Sequence, residues 1–226
     1  MAKVLLGVTG SVAAIRAPLL HQTLVAAGHQ TRIVATSAAT YFFDPATIDP
    51  VSHNGIPARN PQTVVLDRDE WPGAEAGDRF RMGDDVLHIE LRRWADVLLI
   101  APLDANTLAK IVSGLADNCL TCVWRAWDVS RPVILAPAMN TMMWEHPLTV
   151  RQLHSLAEIG SAGDEVPRLP LPDLVDWINA NCPTIAIVPP QTKRLACGDV
   201  GLGGLADVDV IVEAVDRTVA KTQAAD

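Results

Sequence analysis

The apolar positions of this chain form short continuous runs that alternate with longer amphipathic stretches. The short runs predict buried strands of a parallel sheet over residues 3–8, 30–36, 97–101, 132–136 and 184–188. Helical spacing and end signals predict helices over residues 12–27, 105–115, 119–127, 149–159 and 208–222. Strands that alternate with helices indicate a single α/β domain over residues 1–226, with helices on both faces of a parallel sheet.

Three segments depart from this alternation. Residues 44–85 hold Pro, Gly, Asp and Asn without a steady period, which predicts irregular structure. Residues 160–183 are longer than the usual connection and predict an insertion that carries a helix over residues 173–181. The insertion either extends the surface or covers part of a site. The glycine-rich residues 195–207 predict a flexible lid that closes over a ligand.

Composition narrows the classes of partner. Hydrophobic residues make up 49% of the 226 residues, and an excess of this kind is usually absorbed by contacts between subunits. The net charge of −8 argues against a nucleic-acid partner, which calls for a basic face. No apolar run has the length of a membrane span, and four cysteines in a chain of this size do not form a secreted disulfide framework. We therefore expect a cytoplasmic protein.

Polar turns follow three of the predicted strands. They comprise Gly10, Ser11 and Val12 after the first strand, Thr36 and Ser37 after the second, and Asp104, Ala105, Asn106 and Thr107 after the third. Ligands of open parallel sheets bind outside the carboxyl ends of the strands, so we expect these turns to share one site. Backbone N–H groups of the first turn suit an anion, although the turn lacks the full G-x-G-x-x-G pattern.

An unusual segment, Pro-Ala-Met-Asn-Thr-Met-Met-Trp, follows the fourth predicted strand at residues 137–144. Asn140 is costly to bury unless its amide is paired. The amide can hold a carboxylate or an amide of a ligand. It can equally cap the next helix, with the Met and Trp side chains as packing.

Other side chains that could carry chemistry allow two interpretations each. His88 is a candidate base, because an imidazole can take up a proton at working pH, but a lone histidine is often structural. Cys119 and Cys122 form a C-x-x-C without a second such pair, which predicts packing and no metal. Arginines at positions 16, 92 and 93 either hold a substrate phosphate or lie in solvent.

Taken together, these segments resemble the flavin-containing cysteine decarboxylases. The resemblance covers residues 7–15, 69–71 and 86–153, resumes at 188–190 and runs through the loop around Cys197. It implies a Rossmann-like, flavodoxin-like flavoprotein that binds FMN between the subunits of a homotrimer or a multiple of trimers. It also implies that Ser11 and Ser37 lie toward the FMN phosphate. Asn106, Thr107 and Ala138 are then expected near its ring system or ribityl chain.

The same resemblance implies roles in a reaction. His88 is expected to be the base, Asn140 to hold the substrate carboxylate, and Cys197 to supply a late proton. Further contacts with the substrate are expected from Met142, Ala196, Gly198 and Arg93. The implied substrate is a small molecule, 4′-phosphopantothenoylcysteine of coenzyme A synthesis. Its cysteine moiety passes through a thioaldehyde and an enethiol to give 4′-phosphopantetheine.

Two other functions stay open at this point. A peptidyl-cysteine decarboxylase of ribosomal-peptide antibiotic pathways stops at the enethiol, and such enzymes tend to lack the lid cysteine that Cys197 provides. The peptide alternative is kept open by residues 160–183 and by Gly204-Leu-Ala-Asp207, which replaces the usual Ala-Met-Ala-Glu of the family. The third function is an inactive homologue that binds a phosphatase. The joint presence of His88, Asn140 and Cys197 argues against it.

Overall fold

The computed structural model describes residues 1–48, 63–161, 163, 165–194 and 200–225. Within these residues the central sheet has six parallel strands: β1 (Lys3–Val8), β2 (Gln30–Ala35), β3 (Val64–Leu66), β4 (Val97–Leu103), β5 (Val133–Pro137) and β6 (Ile185–Ile187). Their spatial order is β3-β2-β1-β4-β5-β6. The order reverses at β1, which has β2 on one side and β4 on the other.

Helices cover both faces of the sheet. They are α1 (Ala17–Ala26), α2 (Leu87–Trp94), α3 (Ala105–Ser113), α4 (Cys119–Arg125), α5 (Thr141–Trp144), α6 (Pro147–Gly160), α7 (Leu171–Asn181) and α8 (Val208–Ala225). A separate antiparallel pair of strands is formed by β7 (Gln191–Arg194) and β8 (Val200–Gly204). Among the described residues, none of the helices combines the length and the hydrophobicity that a membrane span requires.

Each face of the sheet has its own apolar core. Side chains alternate along a strand, so Val4 and Leu6 of β1 lie in one core while Leu5 lies in the other. The first core packs against α1 and α8, and the second packs against α2, α3, α4, α6 and α7. Both faces are covered, most of the strands are therefore apolar runs, and the predicted α/β fold is confirmed.

The first predicted helix is interrupted near its start. Residues Val12–Arg16 form a 3₁₀ turn, and the α-helix begins only at Ala17. Pro18 has no backbone N–H, so it cannot continue an α-helical ladder from the preceding turn. The N–H of Ala17 bonds to the carbonyl of Ala14 instead. The predicted single helix over residues 12–27 is therefore two pieces.

Short elements account for the other differences from the sequence-based expectation. Strand β3 lies inside residues 44–85 and pairs through Ile33 and Val64, among others, with β2. Helix α7 begins at Leu171, before the predicted residue 173, and buries Leu174 and Ile178 in the second core. The segment 160–183 thus contributes to the core beside β6. Strand β8 occupies the second half of the residues predicted as a lid.

Candidate functional site

A cavity of about 580 Å³ lies at the carboxyl ends of the central strands. The turns after β1 and β4, the loop after β5 and the β7–β8 pair form its walls. This is the edge where the strand order reverses, the usual ligand position in open parallel sheets. Eight of the predicted residues line it together: Gly10, Ser11, Val12, Asp104, Ala105, Asn106, Ala138 and Asn140.

A buried threonine joins the first two of these walls. The hydroxyl of Thr9 donates to the carbonyl of Pro102 at 2.7 Å and accepts from the N–H of Asp104 at 2.7 Å. The Asp104 carboxylate in turn accepts from the N–H of Thr107 at 2.7 Å and caps α3. The turn after β1 and the start of α3 are therefore held in one fixed arrangement.

Gly10, which lines the cavity, lets the turn after β1 pack closely against its neighbours. A Cβ at this position would lie 2.6 Å from the Cβ of Ala38 and 3.2 Å from Oδ2 of Asp104. Any side chain there would push these neighbours apart. Glycine is therefore required here because the turn packs tightly against Ala38 and Asp104.

Asn140 could cap a helix or bind a ligand by the sequence alone, and its position in the structure suits both. Its Oδ1 accepts from the N–H of Met142 at 2.8 Å and caps α5, so the helix-cap interpretation is confirmed. The residue also lines the cavity. The preceding Met139 donates its N–H to the carbonyl of Gly203 at 2.9 Å, which packs β8 onto this loop. Gly203 has φ +148°, and a side chain there would collide with the Met139 carbonyl.

Lys193 is a cavity residue that the sequence did not indicate. Its Nζ donates to the carbonyl of Leu205 at 2.8 Å and to Oδ1 of Asp207 at 2.7 Å. The hydrogen bond from Lys193 lowers the pKa of Asp207. Lys193 therefore ties β7 to the segment that leads into α8 and closes one side of the cavity.

His88 lies on α2, away from the residues that line the cavity. Its Nδ1 is hydrogen-bonded to Oε1 of Glu70. The His88 side chain is 20% exposed, whereas that of Glu70 is 1% exposed. Glu70 ends the 3₁₀ turn Asp67–Glu70, which packs against α2 and α4.

The two cysteines of the C-x-x-C lie next to this pair. Cys119 is fully buried, and burial, reinforced by the Glu70 carboxylate, raises the pKa of its thiol. Burial also raises the pKa of the half-buried Cys122, whose thiol donates to the carbonyl of Ala116. One ligand atom each from Glu70, His88 and Cys122 lies within 4.8 Å of the others, a donor set that zinc sites also use. The spacing in the sequence did not indicate this cluster.

Besides His88, five predicted site residues lie outside the cavity lining. Ser37 donates through its N–H and its hydroxyl to Oδ2 of Asp67, at 2.7 and 2.9 Å. Thr36 and Thr107 are buried. The remaining two are Arg93, which pairs with Glu90 at 2.9 Å, and Met142, which is 75% exposed.

Three more predicted residues, Ala196, Cys197 and Gly198, lie outside the described part of the chain. Their assignments to the substrate and to the late proton stay predictions.

The chain belongs to the Flavoprotein family, whose model matches residues 1–220. It is 41% identical to the phosphopantothenoylcysteine decarboxylase of Mus musculus over 220 residues, which is 97% of this chain and 88% of the relative.

Solved structures are also similar over nearly the whole chain. A cysteine-to-serine mutant of PPC decarboxylase complexed with pantothenoylaminoethenethiol has 41% identity and a TM-score of 0.72, and the match covers 95% of this chain and 96% of that one. The FMN binding protein AtHal3 has 42% identity and a TM-score of 0.69, and the match covers 95% of each chain.

Proposed function

We propose that this chain is an FMN-dependent decarboxylase that converts 4′-phosphopantothenoylcysteine to 4′-phosphopantetheine. The observation that carries the proposal is the cavity at the carboxyl ends of the strands, which gathers Gly10, Ser11, Asn106 and Asn140 in one place. Membership of the Flavoprotein family and 41% identity to a phosphopantothenoylcysteine decarboxylase support it. A reaction on free thiols suits a reduced, cytoplasmic setting.

The residues of the cavity fit FMN, which combines an apolar ring system with an anionic phosphate. Ile15, Phe42 and Met143 supply apolar walls, and Arg16 supplies a cation that suits the phosphate. The turn at Gly10 also lines the cavity, where the backbone N–H groups of a strand-to-helix turn suit an anion. We assign the polar contacts to Ser11 and Asn106, with Ala138 beside the ring or the ribityl chain.

Each reacting group of the substrate then has a partner in the chain. FMN held in the cavity would supply reversible hydride transfer with the cysteine moiety, which the loss of CO2 requires. His88 accepts the thiol proton, because an imidazole can do so near neutral pH. The amide of Asn140 donates to the substrate carboxylate and orients it. Cys197 supplies the proton that completes the thiol product, so the net reaction is redox-neutral.

A second copy of the chain completes this site. His88 and Asn140 are both needed, yet only Asn140 lines the cavity. The segment before α2 exposes Trp71 (63%), Phe80 (69%) and Met82 (97%), which is a large apolar surface for a monomer to present to water. Docking of this surface near the cavity of another subunit covers it and delivers His88. We infer a homotrimer or a multiple of trimers.

Mixing two inactive variants tests the shared site. His88→Asn and Asn140→Asp are each expected to be inactive, the second because its carboxylate repels that of the substrate. If the two residues of one site come from different subunits, co-refolded or co-expressed mixtures regain roughly a quarter of the wild-type sites by random assembly. The measurement is CO2 release, with light scattering to give the oligomeric state.

Each variant mixed with itself is the control and stays inactive. A mixture that regains no activity while exchanging subunits would place both residues in one protomer. A fully active monomer would contradict the assembly outright.

The cofactor and the product test the function directly. The purified protein is expected to be yellow and to release FMN on denaturation, because all of the proposed contacts with FMN are noncovalent. Incubation with 4′-phosphopantothenoylcysteine is expected to yield 4′-phosphopantetheine by mass spectrometry without an added oxidant or reductant. A colourless protein that gives no flavin spectral shift on titration with FMN would contradict the proposal. Preferential turnover of a cysteine-terminated peptide would show that the substrate is a peptide.

A further inference from the structure

The buried carboxylate of Glu70 has no role in the function proposed above. Its side chain is 1% exposed, and its Oε1 is paired with Nδ1 of His88. We propose that Glu70 is a positioning residue that holds the His88 imidazole with its hydrogen on Nδ1, so that Nε2 is the nitrogen that accepts the substrate proton. The identity of that proton rests on the proposed function, whereas the position of the hydrogen does not.

Burial makes Glu70 depend on this partner. A buried carboxylate is costly unless it is hydrogen-bonded or paired with a positive charge. The neighbouring thiol of Cys119 does not compete as a base, because burial and the Glu70 carboxylate raise its pKa and keep it protonated. Glu70 therefore orients the imidazole of His88. The ring is 20% exposed, so it still reaches solvent.

The carboxylate is also fixed in place by the turn that carries it. Oδ2 of Asp69 accepts from the N–H of Leu66 at 2.8 Å and closes the turn onto β3. Oδ2 of Asp67 accepts from the N–H and the hydroxyl of Ser37, which follows β2. Glu70 is thus anchored to the sheet, and it presents one oxygen to α2 in a constant position.

An acceptor fixed at Nδ1 selects one of the two neutral forms of the ring. The hydrogen lies on Nδ1, and the lone pair of Nε2 remains available. When Nε2 takes a proton, the neighbouring carboxylate stabilises the imidazolium that forms. In Ser-His-Asp triads, an amide in place of the carboxylate leaves the geometry intact but favours the wrong tautomer and lowers kcat about 10⁴-fold.

The test is Glu70→Gln, a change that keeps the size of the side chain. The chain has six histidines, and a His88→Asn sample assigns the His88 signals in ¹⁵N spectra of histidine-labelled protein. Without substrate, the wild type is expected to show the Nδ1–H form at a pH where the ring is neutral. Glu70→Gln is expected to shift His88 to the Nε2–H form and to lower kcat about 10²- to 10⁴-fold with little change in KM.

Glu158→Gln is the matched control. Glu158 pairs with Nδ1 of His154 at 3.4 Å on helix α6, and its side chain is 61% exposed. This variant is expected to keep the wild-type kcat and the His88 spectrum. Retained FMN absorbance in Glu70→Gln supports the proposal by separating a tautomer effect from loss of the fold.

Three results would overturn the proposal. The first is an Nε2–H form of His88 in the wild type, which needs no variant. The second is a Glu70→Gln protein whose His88 keeps the wild-type tautomer, whatever its kcat. The third is a change in the His88 nitrogen signals on treatment with EDTA, which would show that a cation bound by Glu70, His88 and Cys122 holds the ring. Wild-type protein with the Nδ1–H form but no decarboxylase activity would leave Glu70 in its role and contradict only the proposed function.

Discussion

Replacement of His88 by Asn is expected to lower decarboxylation by about 10²- to 10⁴-fold, the usual contribution of a general base. Asparagine cannot accept a proton at working pH, so the thiol of the substrate keeps its hydrogen and hydride removal stalls. FMN is expected to stay bound, because the residues to which its contacts are assigned do not include His88. Single-turnover CO2 release and the flavin absorbance of the same sample measure the two effects.

The matched control for this change is His154→Asn. His154 is a half-buried histidine of α6 that contacts the carbonyl of Val166. Its loss is expected to leave turnover and FMN content unchanged. Near-normal turnover of His88→Asn would show that the base is another group, and loss of FMN would mean that the variant disturbs the fold.

Replacement of Cys197 by Ser is expected to stop the reaction at the enethiol. Oxidation and loss of CO2 need only FMN, His88 and Asn140 in this scheme. The final reduction needs a proton, and a serine hydroxyl is a far weaker acid than a thiol with an ordinary pKa near 8.5. Mass spectrometry is expected to find a product lighter than the thiol by two hydrogen atoms, and anaerobic flavin is expected to accumulate in its reduced form.

Cys122→Ser provides the comparison, since its thiol is bonded to the Ala116 carbonyl and has no part in the final reduction. This variant is expected to release the saturated thiol. If the wild-type protein itself released the enethiol and consumed oxygen, Cys197 would have no role as a proton donor. The peptidyl-cysteine alternative would then replace the coenzyme A reaction.

The strands were predictable because both of their faces are buried. The run Lys3–Val8 is apolar at each of its last five positions, and solvent reaches none of them. Strand β3 was not predictable, since it has three residues and lies in a stretch without a period. It becomes a strand through pairing with β2 at Ile33 and Val64, a contact between distant parts of the chain. Tertiary pairing of this kind leaves no local signal.

The cavity residues were predictable where they follow strands. Topology alone brings Ser11, Asp104 and Asn140 to one edge, because parallel strands end on the same side of the sheet. Glu70 and Lys193 gave no such signal. Glu70 reaches His88 across 18 positions of irregular chain, and Lys193 reaches Asp207 across 14, so only the packed structure shows these contacts.

The buried hydroxyl of Thr9 limits how the cavity can be redesigned. It holds the Pro102 carbonyl and the Asp104 N–H at once, so a valine of similar shape leaves both groups without that partner in a dry interior. The positions of these two turns at the floor of the cavity are therefore fixed. To accept bulkier or differently charged flavin analogues, the cavity should be changed at Ile15, Phe42 and Met143. Substitutions there leave the hydrogen bonds of Thr9 between the two turns intact.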